Sequence, residues 1–223
     1  MPVVQAIQDA ALSSVCLKLE ADHRISNNLS ILSSIIRTHA KSFAREGPSL
    51  SSEQVYGLLT DVSARIEVIS KLHKLLGGNL QGDRIPLGEF LREICDTLHT
   101  LGSSNGLNIE FGTDWSQTVD QRQALLIGLI AAELITNSIK YAHPTGLPVE
   151  VKVVSQKTGA GSFFVEISDD GVGLPEGFDC STDGGLGFKL MRLLADQLGA
   201  VLRFNHDSLG LRGRLVMPVN SDA

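Results

Sequence analysis

The segment Ile167-Ser168-Asp169-Asp170-Gly171-Val172-Gly173-Leu174-Pro175 constrains this chain more than any other. An apolar, β-prone run stops abruptly at two carboxylates and two glycines. A buried strand is expected to end here, with an acid at its tip beside a backbone stripped of Cβ atoms. Such a strand end can hold a purine. Asp169 accepts the exocyclic amine, and Gly171 and Gly173 let the chain pass close beneath the ring. Taken alone, D-x-G-x-G equally describes a tight hairpin turn initiated by Asp, which is the commoner use of such a sequence. Two further segments shift the balance.

Upstream, Leu126, Leu129, Ile130, Leu134 and Ile139 recur at helical spacing and predict an amphipathic helix. Glu133, Asn137 and Lys140 step by four and then three, so they share one face of it. A solvated stripe has that composition. So does a surface for metal and phosphate, in which Asn is a neutral oxygen ligand and Lys a point charge.

Downstream, Asp183-Gly184-Gly185-Leu186-Gly187-Phe188 leads into an apolar helix through Leu190, Leu193, Leu194 and Leu198. A glycine-rich turn feeding a helix start presents free backbone N–H groups to an anion. A flexible connector is the plainer reading of G-G-x-G on its own. The order of the three segments is more specific than any one of them. It resembles the nucleotide-binding domain shared by histidine kinases, Hsp90-type chaperones, gyrase and MutL, with its asparagine box and two glycine boxes in sequence.

A net charge of −6 argues against nucleic acid as the main partner, and 43% hydrophobic residues are enough for a real core in 223. The longest apolar runs, such as Leu125 to Ala132, are too short to span a bilayer, so no membrane insertion is expected. Cys16, Cys95 and Cys180 are widely spaced, form no metal-ligand cluster, and read as reduced cytoplasmic thiols.

The glycine-rich stretch from Gly77 to Asp83 divides the chain. Before it, residues 1–78 read as a helical hairpin, with one helix ending by Glu46-Gly47-Pro48 and the next capped by Ser51 or Ser52. The second helix carries a stripe of Val55, Leu58, Leu59, Val62, Ile66, Ile69, Leu72, Leu75 and Leu76. Two helices cannot enclose a core alone, and a dimeric four-helix bundle would bury both stripes. After it, residues 84–223 alternate helix and strand. The fold class expected is α+β: a helical hairpin followed by an α/β sandwich with a mixed sheet.

On the first helix, taking Ile25 as the zero of a wheel at about 100° per residue puts Leu29, Leu32 and Ile36 within roughly 40° of it. His23 then lies nearly opposite, facing solvent, with Asn27 one turn along. His23-Arg24-Ile25-Ser26-Asn27-Asn28-Leu29, ahead of such an ATP domain, resembles a bacterial sensor histidine kinase of the H-R-x-x-N subfamily, which includes the HWE kinases. The likeness runs from about Asp22 to Met217 and includes Ile85 to Ile94, similar to that family's first catalytic-domain helix.

The resemblance implies a cytoplasmic two-component kinase that phosphorylates His23 from ATP and passes the group to an aspartate of a response-regulator receiver domain. By it, Asn137 holds Mg²⁺ and Asp169 reads adenine beside Gly171 and Gly173. Lys140 and the loop of Gly185, Leu186 and Gly187 lie near the phosphates, and residues 175–183 form the lid. Glu133 is the family's usual acid, and either it or Asp22 would take the proton, since Arg24 stands where commoner kinases carry an acid. About twenty residues precede His23, too few for a sensor domain. A separate sensor protein, a catalytic fragment or a relay protein would each account for that. The alternative function is an ATP-independent phosphotransferase relaying phosphoryl groups between receiver domains. A serine kinase of the anti-sigma type would not need the hairpin, and an ATP-driven clamp would need further domains.

Overall fold

The computed structural model describes residues 33, 37, 51–77, 84–102, 106–112, 116–158, 161–180, 182–207 and 210–218. The chain forms two compact units, Met1–Ser49 and Leu50–Ala223. His23 and most of the expected first helix lie outside the described residues.

Seven strands and four helices make up the described part of the second unit. In chain order they are α1 (Ser52–Gly77), β1 (Arg84–Pro86), α2 (Leu87–Gly102), β2 (Leu107–Phe111), β3 (Thr118–Asp120), α3 (Gln121–Tyr141), β4 (Val149–Thr158), β5 (Ser162–Asp169), α4 (Leu186–Gln197), β6 (Val201–Asp207) and β7 (Gly210–Pro218). Five strands form one sheet in the order β2-β4-β5-β7-β6, with β2 parallel to β4 and every other pair antiparallel. This is the mixed sheet of an α+β fold. Period-two alternation sends Val149, Val151 and Val153 of β4 and Phe163, Val165 and Ile167 of β5 into the core. Phe164 points the other way, and the Arg214 guanidinium covers it at 4.3 Å from the ring centroid.

A two-stranded antiparallel sheet of β1 and β3 joins the starts of α2 and α3. Arg84 Nη2 donates to the Thr118 carbonyl at 2.8 Å, and the Leu87 N–H donates to the Gln117 carbonyl at 3.0 Å. Helix α3 begins at a reciprocal cap. Asp120 Oδ1 accepts the Gln123 N–H at 2.7 Å, and Gln123 Oε1 accepts the Asp120 N–H at 3.2 Å. Where α2 crosses α3, a Cβ at Gly128 would stand 2.8 Å from Phe90 Cε1 and 2.9 Å from Ile94 Cδ1, so the missing side chain sets the approach.

Helix α3 is not the one-sided helix its periodicity predicts. Every residue from Ala124 to Ile135 is buried. The reason is α1, which packs against both α2 and α3 and buries its own Ala64 and Val68. Val55, Leu59 and Ile66, three members of the stripe read from the sequence, are exposed in this unit. By length and composition α3 is apolar enough to cross a membrane, although its uninterrupted apolar run is short, and 72% of the stretch is buried inside the fold.

Candidate functional site

The C-terminal half of α3 and the end of β5 meet at one rim of the sheet. Asp169 is the last residue of β5, and three donors hold its carboxylate. Oδ1 accepts the backbone N–H groups of Gly171 at 3.0 Å and Leu211 at 3.1 Å. Oδ2 accepts the Ser138 hydroxyl at 2.8 Å. The two backbone donors come from the turn after β5 and from β7, and the hydroxyl from α3. An acid at a strand tip, the feature read from the sequence, is thus tied to three separate parts of the chain.

The glycines of this turn have different physical reasons. Gly171 lies against the last turn of α3, and a Cβ on it would come within 2.6 Å of the Ala142 carbonyl oxygen and closer still to Ala142 Cα. That carbonyl accepts the Val172 N–H at 2.9 Å. Gly173 adopts φ +69°, a left-handed conformation that residues with a Cβ disfavour.

Glu133 is buried, Asn137 sits one turn further on and half-buried, and Lys140 is exposed in the last turn of α3. Helix α4 starts above this face. Gly185 is its N-cap and makes no side-chain cap, Leu186 is its first residue, and Gly187 follows in its first turn. A Cβ at Gly187 would stand 3.2 Å from Glu133 Oε2 and 3.8 Å from Asn137 Nδ2. The acid, the amide and the glycine-bearing helix start therefore come together, leaving room that any side chain at 187 would fill. With no side chain at the cap, the first N–H groups of α4 have no side-chain acceptor there.

Between the two glycine segments, residues 175–180 and 182–183 form a series of turns. The Phe178 N–H donates to the Pro175 carbonyl, and the Asp179 N–H donates to Asp183 Oδ2 at 2.9 Å. Phe178 packs on Phe188 of α4 at 5.9 Å between centroids, and Phe188 packs edge-on against Phe204 of β6 at 5.0 Å. Sequence reasoning missed that aromatic row. It also missed the Ser138 and Leu211 donors and the contact of His143 Nε2 with Asp170 Oδ1. A concavity of about 770 Å³ reaches Asp169, but Asn108, Glu110, Glu150, Lys152, Ser168 and Arg212 make up much of its wall, and Glu133 and Asn137 do not line it.

Helices α2, α3 and α4 pack together and reach the strands of the mixed sheet, with the polar rim at their ends. Residues 123–220 match the family described as histidine kinase-, DNA gyrase B-, and HSP90-like ATPase, and residues 20–101 match the histidine kinase family HisKA_2. Both family descriptions name histidine kinases, and together the two matches take in most of the chain.

It is 26% identical over 205 residues to blue-light-activated histidine kinase 2 of Erythrobacter litoralis, covering 90% of this chain and 56% of that protein. It is 24% identical over 177 residues to the sensor histidine kinase PdtaS of Mycobacterium tuberculosis, covering 78% of this chain and 33% of that one. Among solved structures, the histidine kinase domain of the Erythrobacter litoralis EL346 blue-light-activated kinase shares the fold with a TM-score of 0.65. It is 24% identical, with 83% of each chain covered. The chain thus spans a little over half the length of one curated relative and a third of the other.

Proposed function

We propose that this chain is the kinase portion of a two-component system, transferring the γ-phosphoryl group of ATP to His23 and then to an aspartate of a response-regulator receiver domain. The observation that carries the reading is the convergence of Gly187 on Glu133 and Asn137, beside Ser138, which anchors Asp169 at the same rim. Asp169 accepts the adenine amine. The N–H groups at the start of α4 and the Lys140 ammonium take the phosphate oxygens. Gly171 and Gly173 keep the turn beneath the ring free of side chains.

Mg²⁺ fits this donor set. Asn137 offers a neutral hard oxygen beside the Glu133 carboxylate, in the space that Gly187 leaves open. When bound, the metal spreads charge over the phosphates. A nitrogen of the His23 ring forms a bond to the γ-phosphorus as the bond to the β,γ-bridging oxygen breaks. ADP leaves, and the ring N–H proton passes to Glu133 or Asp22. The protein's contribution is positioning and charge stabilisation. The nitrogen–phosphorus bond then makes phosphohistidine a good donor to the receiver aspartate.

The exposed Val55, Leu59 and Ile66 of α1 support a homodimer formed through the helical segment of residues 1–78, leaving residues 84–223 as the catalytic domain. The cytoplasm is the site of action in this reading. Incubation with γ-labelled ATP tests the reading. Wild type should take up acid-labile, alkali-stable label, and His23→Gln and Asn137→Ala should take up none. Wild type that labels only from a phosphorylated receiver domain, with Asn137→Ala labelling equally well, would identify an ATP-independent relay instead.

A further inference from the structure

We infer that Ser138 is a specificity-determining positioning residue of the purine site, selecting a six-amino over a six-oxo ring by fixing the Asp169 carboxylate. The inference rests on the reading of Asp169 as the purine acceptor. Ser138 is buried on α3, 31 residues before its partner. Its hydroxyl has one proton and two acceptors in reach, the Leu134 carbonyl at 3.1 Å and Asp169 Oδ2 at 2.8 Å. A helical serine commonly bonds back to the carbonyl four residues earlier. Here the shorter contact goes to a carboxylate, where the bond is charge-assisted and stronger.

The three donors around Asp169 decide what the carboxylate can still accept. A carboxylate offers about four acceptor directions. Two backbone N–H groups occupy Oδ1, and Ser138 occupies one direction of Oδ2. One direction remains, on Oδ2, and it accepts only. An exocyclic amine complements it, whereas the exocyclic carbonyl oxygen of a six-oxo ring at the same position sets acceptor against acceptor. The last torsion of an Asp side chain is soft and broad. Without the hydroxyl, Oδ2 is free to turn away from the amine, and the penalty against a six-oxo ring is relieved.

Binding of the non-hydrolysable β,γ-imido analogues of ATP and GTP to the full chain tests this. Ser138→Ala removes one oxygen from a helix that tolerates Ala. It should weaken the ATP analogue about ten-fold, the effect of losing one charge-assisted hydrogen bond, and leave the GTP analogue little changed. The preference between them then falls about ten-fold. A purely structural role for Ser138 would weaken both alike. An unchanged preference in Ser138→Ala, whatever the absolute affinities, overturns the inference. Asp169→Asn separates the two levels. If it loses the ATP analogue while Ser138→Ala keeps its preference, the inference alone fails. If Asp169→Asn binds like wild type, the purine reading fails and the role of Ser138 goes with it.

Discussion

His143 Nε2 lies 3.1 Å from Asp170 Oδ1, and the same oxygen accepts the Glu150 backbone N–H at 2.9 Å. His143 stands just beyond the last turn of α3, so this contact ties the end of that helix to the end of β5 and the start of β4. With the Asp170 side chain 44% exposed, solvent screens the interaction. His143→Ala should therefore cost only about 0.5–1 kcal/mol in urea unfolding. A loss several times larger would mean that His143 is a packing residue and the contact with Asp170 incidental.

Gly171 and Gly177 are both turn glycines and should behave differently on conversion to Ala. The Gly171 Cβ meets the backbone of Ala142, which has no flexible end to move aside, and Gly171→Ala should cost about 1–3 kcal/mol. It should also lower nucleotide affinity, because it spreads α3 from the strand end. Gly177 has φ +75° with nothing within 4 Å, so only the left-handed backbone is penalised, at about 1 kcal/mol. Paired melting curves and calorimetry distinguish them. Equal losses of affinity would contradict the close-approach account of Gly171.

Phe188 is the middle of the row that joins Phe178 to Phe204. Phe188→Ala removes both ring contacts, each worth about 0.5–1.5 kcal/mol beyond area burial. Limited proteolysis should then cut within residues 175–183 faster than in wild type, with the sheet still intact by circular dichroism. Unaltered cleavage there would show that the hydrogen bonds of Phe178 with Pro175 and of Asp179 with Asp183 hold the turns without the rings.

Burial pushes the Cys95 thiol up from its ordinary 9.0 to about 12, with the Asp96 carboxylate adding to the rise and Arg92 opposing it. The unfolded chain loses this proton near pH 9.0, and the folded chain keeps it until about 12. The stability it contributes is complete below 9.0 and is lost as the pH rises toward 12. Wild type should therefore lose urea stability more steeply than Cys95→Ala between pH 9 and 11. Parallel curves for the two proteins over that range would refute the assignment.

Local signals proved legible. The abrupt end of an apolar run at Asp169, the helical spacing of Glu133 and Asn137, and the glycines ahead of α4 are each written within a dozen residues, and the fold keeps them at one rim. The mixed sheet followed from the resemblance that these segments carry. The partners of Asp169 were not legible, because Ser138 is 31 residues away and Leu211 is 42, and a backbone N–H leaves no mark in a sequence. The packing face of α1 was hidden for another reason. Among the described side chains of α1 the buried ones, Ala64 and Val68, are small beside Leu and Ile, and close helix approach favours small side chains without raising hydrophobicity. The contact of His143 was equally hidden, because its partner Asp170 is distant in sequence.

The position of β7 has a consequence for how the protein is made. It is the last of the described strands in chain order but lies inside the sheet, between β5 and β6. A ribosome delivers β2, β4 and β5 first, yet β5 presents an open edge until Pro218 has emerged. Asp169 waits as well, since one of its donors is Leu211. A chain that stops short of Gly210 therefore leaves the Asp169 carboxylate without its Leu211 donor and leaves β5 with an exposed strand edge, prone to aggregate.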